Sequence, residues 1–299
     1  MPVSWPPAPE AVYRRITLPS PCLCSHVCLA HPRCQAAAAQ PLDTGEVDCS
    51  LAQLRQPQPT PAGNNDLIFF ERAGPADPEL FCWPKEDGGC GLPHDCATLR
   101  AAGFDTSGVY KISPDGADAH VRVYCEMHGD GTSWTVLQRR WNSSVVNFER
   151  GFKAYEAGFG EPMHSYWLGL RTIEALTMRR RQILRATIWS GGEHQHADYD
   201  DFSVSGPGYR MSIGKYSGNA GNGLSKQQHE MFQTCHFDKA FGCHNGGWWT
   251  AEDDGQTNLN GIRDAKAGEV HSHWVVGNKD IVLEGSVMKI RPFEGPVFF

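Results

Sequence analysis

Short runs of hydrophobic and β-branched residues, separated by turn-forming residues, dominate the C-terminal two-thirds of the chain. The clearest runs are Val109–Ile112, Val121–Tyr124 and Trp134–Gln138, each bounded by Gly, Pro or Asp. Runs of this length and composition predict β-strands. Glycines cluster between such runs, as in Gly206-Pro207-Gly208 and Gly218-Asn219-Ala220-Gly221. The pattern predicts β structure with many long loops.

Two stretches between Ala154 and Met178 have a helical pattern. Thr172 is a plausible N-cap for a helix over Ile173–Arg181, because a threonine hydroxyl accepts a hydrogen bond from a free amide of the first turn. Short helices combined with strands predict an α+β fold.

The N-terminal part of the sequence is dense in cysteine. Cys22, Cys24, Cys28, Cys34 and Cys49 lie within a segment too small to bury much apolar surface, so disulfide crosslinks are expected there. The strand-like run Asp66–Glu71 completes this segment.

The length of 299 residues favours two domains, because single cores rarely grow past ~250–300 residues. Gly74–Pro78 resists both helix and sheet because its prolines fix φ and lack an amide donor. We predict a lead-in at 1–20, a disulfide-rich module at 21–72, a linker at 73–90, a large domain at 91–293 and a tail at 294–299.

Charge and cysteine content restrict the functional class. The net charge of -7 argues against a nucleic-acid surface, and no apolar run approaches the ~18 residues of a membrane span. Eleven cysteines favour an oxidising compartment, and hence secretion. No signal peptide is visible after Met1-Pro2, so we expect the N-terminus to be that of a fragment, a processed form or an incomplete gene model. Asn142-Ser143-Ser144 is a candidate N-glycosylation site.

An ordered series of motifs in the large domain resembles the fibrinogen C-terminal domain found in ficolins, tachylectins, angiopoietins, tenascins and fibrinogen. The series includes Asp95-Cys96-Ala97, Thr106–Ile112, Val123–Met127, Trp134–Arg140, Tyr166–Leu170, Tyr216–Gly221, Trp248-Trp249, Asn258–Gly261 and Met288–Pro292. The resemblance implies a twisted, mainly antiparallel sheet with short helices and a loop lobe that carries the binding sites. It also implies a binding protein and no enzyme, and none of the common catalytic motifs is present.

The resemblance implies a disulfide between Cys96 and Cys125. The family places its second disulfide around the double tryptophan, but here only Cys243 precedes Trp248 and no cysteine follows it. Cys235 is the substitute partner that we predict for Cys243.

The N-terminal cysteines, with Thr44–Leu51, are similar to the helix-and-hairpin part of PAN/apple-like modules. That similarity implies the pairs Cys24–Cys49 and Cys28–Cys34. Cys82 and Cys90 pair with each other, or one of them joins Cys22. Since the cysteine count is odd, at least one thiol is free or intermolecular, which raises the expectation of a homo-oligomer through a spare cysteine.

The family's calcium loop corresponds to Thr234–Cys243 here. Calcium prefers about six to eight oxygen ligands. This loop offers one acid, Asp238, beside Lys239. We therefore predict that the family's calcium site is degraded, and no cofactor is assigned with certainty.

The acetyl-group pocket of ficolins and tachylectins corresponds to a stretch that is acidic here. Glu252-Asp253-Asp254 stands where the family has a cysteine, a histidine and aromatic residues. This loop is expected to take a cationic or hydroxyl-rich ligand, or to form a relocated metal site with Asp238. A solvated acidic loop is the simpler interpretation. The candidate ligand-binding residues are His244, Trp248, Glu252, Asp253, Asp254 and Asn258.

Three further groups have two interpretations each. The indoles of Trp248 and Trp249 either stack on a ligand or fill the core, and the core is favoured. His194, His196 and Asp198 share one strand face, either as a surface cluster, which is favoured, or as a metal site. His271 and His273 are further candidates for the ligand face.

These observations favour a secreted recognition protein that binds glycans or other surface ligands in innate immunity. The alternative is an extracellular matrix or signalling ligand that binds a protein receptor. The expected partners are glycans or extracellular proteins, and neither nucleic acid nor a membrane span is expected.

Overall fold

The computed structural model describes residues 12–18, 24, 27–28, 34, 36–52, 68–71, 83–84, 90–101, 104–115, 120–141, 146–234, 246–250, 257–261 and 272–293. The N-terminal region contains strands β1 (Val12–Leu18), β2 (Ala36–Pro41), β3 (Val47–Ala52) and β4 (Ile68–Glu71). They form one antiparallel sheet in the order β1-β3-β2-β4.

The disulfide Cys24–Cys49 ties β3 to the residues that precede β2, and Cys28–Cys34 links two of those preceding residues to each other. Their sulfurs belong to a small buried cluster that also includes Leu18, Val47 and Leu51. Both pairs are those implied by the sequence.

The N-terminal sheet begins earlier than we expected. We predicted a lead-in over residues 1–20, but β1 lies within that range and pairs with β3 from Leu18↔Val47 onward. The prolines on both sides of β1 argued against a strand in the sequence. An edge strand tolerates flanking prolines, because it needs a hydrogen-bonding partner on only one side. A short ladder of β5 (Trp83–Pro84) and β6 (Cys90–Gly91) likewise lies within the predicted linker.

The large domain is built on one twisted sheet. Its strands are β7 (Gly108–Ile112), β8 (Val121–Met127), β9 (Ser133–Trp141), β10 (Phe159–Gly160), β11 (Tyr166–Trp167), β12 (Gln182–Ser190), β13 (Glu193–Ser205), β14 (Arg210–Ser212), β15 (Tyr216–Gly218) and β20 (Gly285–Pro292). The main order is β10-β11-β9-β20-β12-β13-β14, with β8 on β9, β7 on β8 and β15 on β13. All pairings are antiparallel, and β7, β8 and β9 confirm the three strands that the sequence patterns predicted.

Two short ladders lie outside this sheet. One consists of β16 (Phe232–Gln233) and β17 (Trp248–Trp249), and the other of β18 (His273–Val276) and β19 (Lys279–Val282). The α-helices of the domain are α1 (Cys96–Ala101), α2 (Phe152–Ala157) and α3 (Leu170–Arg179), and a 3₁₀ turn covers Ser225–Gln227. The Cys96–Cys125 disulfide fastens α1 to β8, as predicted.

The predicted N-cap of α3 is wrong. The helix begins at Leu170, its N-cap is Gly169, and Thr172 lies inside the first turn. Gly169 has φ of 105°, and a Cβ there would lie 2.9 Å from backbone atoms at the end of α2. Close packing of the two helix ends therefore selects glycine over a side-chain cap.

Candidate functional site

Both tryptophans of β17 are core residues. Trp248 and Trp249 are fully buried. The indole Nε1 of Trp249 donates to the Tyr209 carbonyl at 2.7 Å, and its ring packs edge-on against Phe232 with centroids 4.9 Å apart. Trp248 was one of the predicted ligand-binding residues, but the core was the interpretation that the sequence favoured for both tryptophans, and their burial agrees with it. The structure places its ring inside the domain, because so large an aromatic surface is better removed from water than displayed.

Asn258 is also buried, with 2% of its surface exposed. Its backbone forms a two-way bridge with His273, at N–O distances of 3.1 and 3.0 Å. Its side-chain oxygen accepts the Asn260 amide at 2.8 Å. Both Asn258 and His273, which is 5% exposed, therefore hold the backbone in place beneath the surface, so the candidate role of His273 on a ligand face is not supported.

The backbone segments around these residues meet in one place, which we call the loop base: residues 232–233, 246–250, 257–261 and 272–273. Gln233 Nε2 donates to the Thr250 carbonyl at 3.2 Å. Asn260 Nδ2 donates to the Gly247 carbonyl at 2.8 Å. Residues 235–245, 251–256 and 262–271 lie outside the described ranges, and each adjoins the loop base in sequence.

Buried polar side chains of β9 support the loop base from below. Gln138 Nε2 lies 3.1 Å from the Leu259 carbonyl, from Asn260 Oδ1 and from Ser286 Oγ. The Arg140 guanidinium donates to the Gly261 carbonyl. Neither Gln138 nor Arg140 was predicted as a site residue, and Arg140 lies beyond the predicted strand Trp134–Gln138 although β9 extends to Trp141. A fully bonded buried network of this kind fixes backbone positions.

Most of the other predicted site residues fall outside the described ranges. These are His244, Glu252, Asp253 and Asp254 among the ligand candidates, Asp238 for calcium, the pair Cys235 and Cys243, and the sequon residue Asn142. His271 lies outside them as well. Asp238 is beside Lys239, and no other acid lies between Thr234 and Cys243. The oxygen ligands of this segment are therefore too few and too weakly acidic to fit calcium.

The histidine cluster on β13 lies at the surface, and its aspartate is paired with an arginine. Asp198 accepts two hydrogen bonds from the Arg185 guanidinium, both at 2.7 Å, and this pairing raises the pKa of Arg185. The His194 ring lies 6.2 Å from that of Trp189. Among the described residues, no group of three or more His, Cys, Asp or Glu side chains is arranged to hold a metal ion. The favoured interpretation, a surface cluster, agrees with this arrangement.

Two buried tyrosines brace the domain around the site. The Tyr166 hydroxyl donates to the Val136 carbonyl, and the Tyr199 hydroxyl accepts the Leu224 amide at 3.0 Å. Burial is the main cause that raises the pKa of both phenols above the usual value of 10.0. Both hydroxyls therefore stay protonated at physiological pH and hydrogen-bond backbone groups of the fold.

None of the helices within the described ranges is long and apolar enough to cross a membrane. The family described as "Fibrinogen beta and gamma chains, C-terminal globular domain" matches residues 92–292. Angiopoietin-4 of Homo sapiens is 35% identical over 217 residues, which is 67% of this chain and 42% of the relative. Tenascin-R of Gallus gallus is 36% identical over 67% of this chain and 15% of its own length. The chain thus spans less than half the length of these relatives.

Solved structures agree on the fold. The fibrinogen-like globe domain of human ANGPTL6 is 34% identical, with a TM-score of 0.58, covering 68% of this chain and 97% of that one. A lamprey fibrin D-dimer complexed with the peptide Gly-His-Arg-Pro-amide is 25% identical, with a TM-score of 0.59, covering 69% of this chain and 76% of that one.

These relatives overturn the favoured functional prediction. Angiopoietins, angiopoietin-related proteins and tenascin-R are extracellular matrix or signalling ligands, so the prediction of a glycan-binding protein of innate immunity is wrong and the alternative is the better one. The relatives are secreted, which confirms the predicted extracellular location. Fibrinogen-like domains are non-enzymatic binding modules. This protein belongs to the family of the globular domain that ends the β and γ chains of fibrinogen, and that domain occupies residues 92–292.

Proposed function

We propose that the protein is an extracellular matrix or signalling ligand whose fibrinogen-like domain binds a protein receptor through the segments that adjoin the loop base in sequence. The observation that carries this proposal is the burial of Trp248, Trp249 and Asn258. Flat sugar rings are held by exposed aromatic faces, and these faces are inside the core. The described loop base is held by buried hydrogen bonds, and a rigid scaffold of this kind commonly carries binding residues in the segments adjoining it.

The charge of the segment after the tryptophans indicates which kind of protein surface it would bind. Glu252, Asp253 and Asp254 follow the buried tryptophans in sequence, and the peptide bound by the related lamprey fibrin carries a histidine and an arginine. Acidic loops attract basic partners and raise the association rate at low salt. We therefore infer that the receptor contributes a basic patch or segment.

The test uses the complete oxidised protein, secreted from cells, against an immobilised panel of receptor and matrix-protein ectodomains. We expect binding to a member of the panel that free monosaccharides do not inhibit. The variant E252Q/D253N/D254N should bind that ectodomain roughly tenfold more weakly, since a few exposed charge pairs contribute about 1–2 kcal/mol together.

The matched control is D43N/E46Q/E149Q, which removes three charges from exposed positions outside the loops. It should bind as the natural protein does. Equal weakening by both variants would reduce the effect to net charge and contradict a role for the acidic loop. Absence of any ectodomain binding would contradict the proposed function.

The N-terminal region is proposed to be a PAN/apple-like module. Its four-stranded antiparallel sheet and its Cys24–Cys49 and Cys28–Cys34 disulfides support this assignment. Cys22, Cys82 and Cys90 provide an odd thiol for a covalent homo-oligomer, and Cys235 pairs with Cys243 in this proposal. Non-reducing electrophoresis tests the covalent homo-oligomer, and mass spectrometry of peptides tests the Cys235–Cys243 disulfide. A change in electrophoretic mobility after peptide N-glycosidase treatment tests glycosylation of Asn142.

A further inference from the structure

Two short strands share one edge of β9. Strand β20 occupies the other edge from Thr135 to Trp141. On the shared edge, β8 pairs with Ser133–Thr135 and β11 pairs with Gln138–Arg139. The two strands are separated at Val136–Leu137, where the Tyr166 hydroxyl satisfies the Val136 carbonyl. The start of β8 therefore diverges from the β10–β11 hairpin.

A cleft of about 280 Å³ opens between them. Its walls include Val121, Arg122, Phe159, Glu161, Pro162 and Trp167. Pockets for small molecules and cofactors usually measure about 300–1,000 Å³, so this cleft is at the lower limit. Its volume fits one apolar side chain with adjoining backbone better than a cofactor.

One wall of the cleft is an incomplete strand edge. Within the described ranges, Val121–Tyr124 pairs only with β7, and β10 pairs only with β11. The Met127 amide donates to Ser107 Oγ at 2.8 Å, beside the start of β7, so the Met127 backbone groups face β7 and those at even-numbered positions of β8 face the other side. Backbone groups two residues apart in a strand point to the same side. Arg122 therefore directs its N–H and C=O toward the cleft, and such an edge is a template for another strand.

Opposite charges flank the mouth of the cleft. Arg122 Nη1 lies 3.5 Å from Glu161 Oε2, and these side chains are 58% and 66% exposed. An ion pair this exposed contributes only about 0–1 kcal/mol, so a ligand can separate the two charges at little cost. Met163, 54% exposed, adds apolar surface beside Pro162.

We propose that this cleft binds an extended segment of a partner protein. The segment adds as a strand to the free edge of β8 and inserts one apolar side chain between Phe159 and Val121. An acidic residue of the segment faces Arg122, and a basic residue faces Glu161. This proposal rests on the proposed function in one respect, which is that the partner is a protein. It does not depend on the loop base, because the cleft is formed by β8, β10 and β11.

The probe is a displayed library of random eight-residue peptides, selected on the complete oxidised protein. We expect peptides in which one apolar residue is flanked by an acidic and a basic residue. The variant R122E should bind them at least tenfold more weakly. The double variant R122E/E161R should restore selection, with the two charges of the peptides exchanged.

Two variants separate binding in the cleft from a general effect of charge. Ala157 is exposed at the end of α2 and lines the cleft, so A157F fills the cleft and should abolish peptide binding. R171E reverses the charge of another exposed arginine, which pairs with the half-buried Glu156 at 3.4 Å, and should leave peptide binding unchanged. Circular dichroism verifies that every variant is folded.

Selection of no peptides, or of peptides that still bind A157F, would overturn the proposal. An ectodomain that binds A157F and R122E as well as it binds the natural protein would also overturn the cleft as the partner's site while leaving the proposed function intact. If only the variant E252Q/D253N/D254N lost ectodomain binding, the cleft would likewise be excluded as the partner's site and the proposed function would stand. Amide hydrogen exchange that slows at Arg122, whose N–H faces the cleft, when the selected peptide binds would support strand addition.

Discussion

The N-terminal sheet and the fibrinogen-like domain achieve stability in different ways. The buried cluster of the N-terminal sheet has nine described residues, four of which are half-cystines and two of which are alanines. The fibrinogen-like domain buries Trp167, Trp248, Trp249 and Trp274 almost completely. A small core needs crosslinks that restrict the unfolded state, whereas a large aromatic core is stabilised by burial itself.

The sharpest test of this contrast removes an aromatic side chain from the large core. W248A should lower the free energy of unfolding by about 3–5 kcal/mol, because it leaves a cavity that its neighbours fill only in part. Guanidinium denaturation followed by circular dichroism measures the loss. W141A is the matched control, since Trp141 is 36% exposed and should cost far less. Similar losses for both variants would place the Trp248 ring at the surface.

A second test compares two disulfides with almost equal loops. Cys24–Cys49 separates its cysteines by 25 residues and Cys96–Cys125 by 29. Loop entropy assigns about 3.5 kcal/mol to each. C24A/C49A should unfold the N-terminal sheet, because little other burial remains there. C96A/C125A should leave the fibrinogen-like domain folded but less stable.

Limited proteolysis followed by mass spectrometry distinguishes these outcomes. Cleavage of C24A/C49A is expected within residues 12–71, with residues 104–293 still protected. If C24A/C49A remained protected in the N-terminal sheet, the crosslinks would be less important there than its small core indicates.

The smallest expected effect is a loss of folding stability at alkaline pH. Burial raises the pKa of Tyr166 and Tyr199 in the folded domain, while the unfolded protein titrates near pH 10. Above that pH the unfolded state binds fewer protons than the folded state, so stability falls as pH rises through 10 and beyond. Denaturation midpoints at several pH values measure the slope. Y166F and Y199F should each reduce it, and an unchanged slope would contradict the burial of these hydroxyls.

Local patterns were sufficient for the central strands. Alternating β-branched and aromatic residues bounded by turn residues located β7, β8 and β9, and each forms as predicted. The disulfides Cys24–Cys49, Cys28–Cys34 and Cys96–Cys125 followed from resemblance, because cysteine spacing is retained as a pattern even when the residues between are variable.

Residues whose role depends on distant partners were not predictable in the same way. Thr172 has the right chemistry for a cap, but contact between α2 and α3 places Gly169 there. Gln138 is a polar residue in a strand until Asn260 and Ser286, more than a hundred positions away in the sequence, come within 3.1 Å of it.

The sequence by itself determined three strands of the central sheet and the extracellular class, which follow from local composition and periodicity. The three disulfides and the family followed from the resemblance of its ordered motifs. Only the tertiary structure decided that Asn258 is a buried support and that β8 leaves a free edge beside a cleft. Both facts are set by which surfaces meet when the protein folds, because burial and strand pairing are properties of neighbours in space and not of neighbours in sequence.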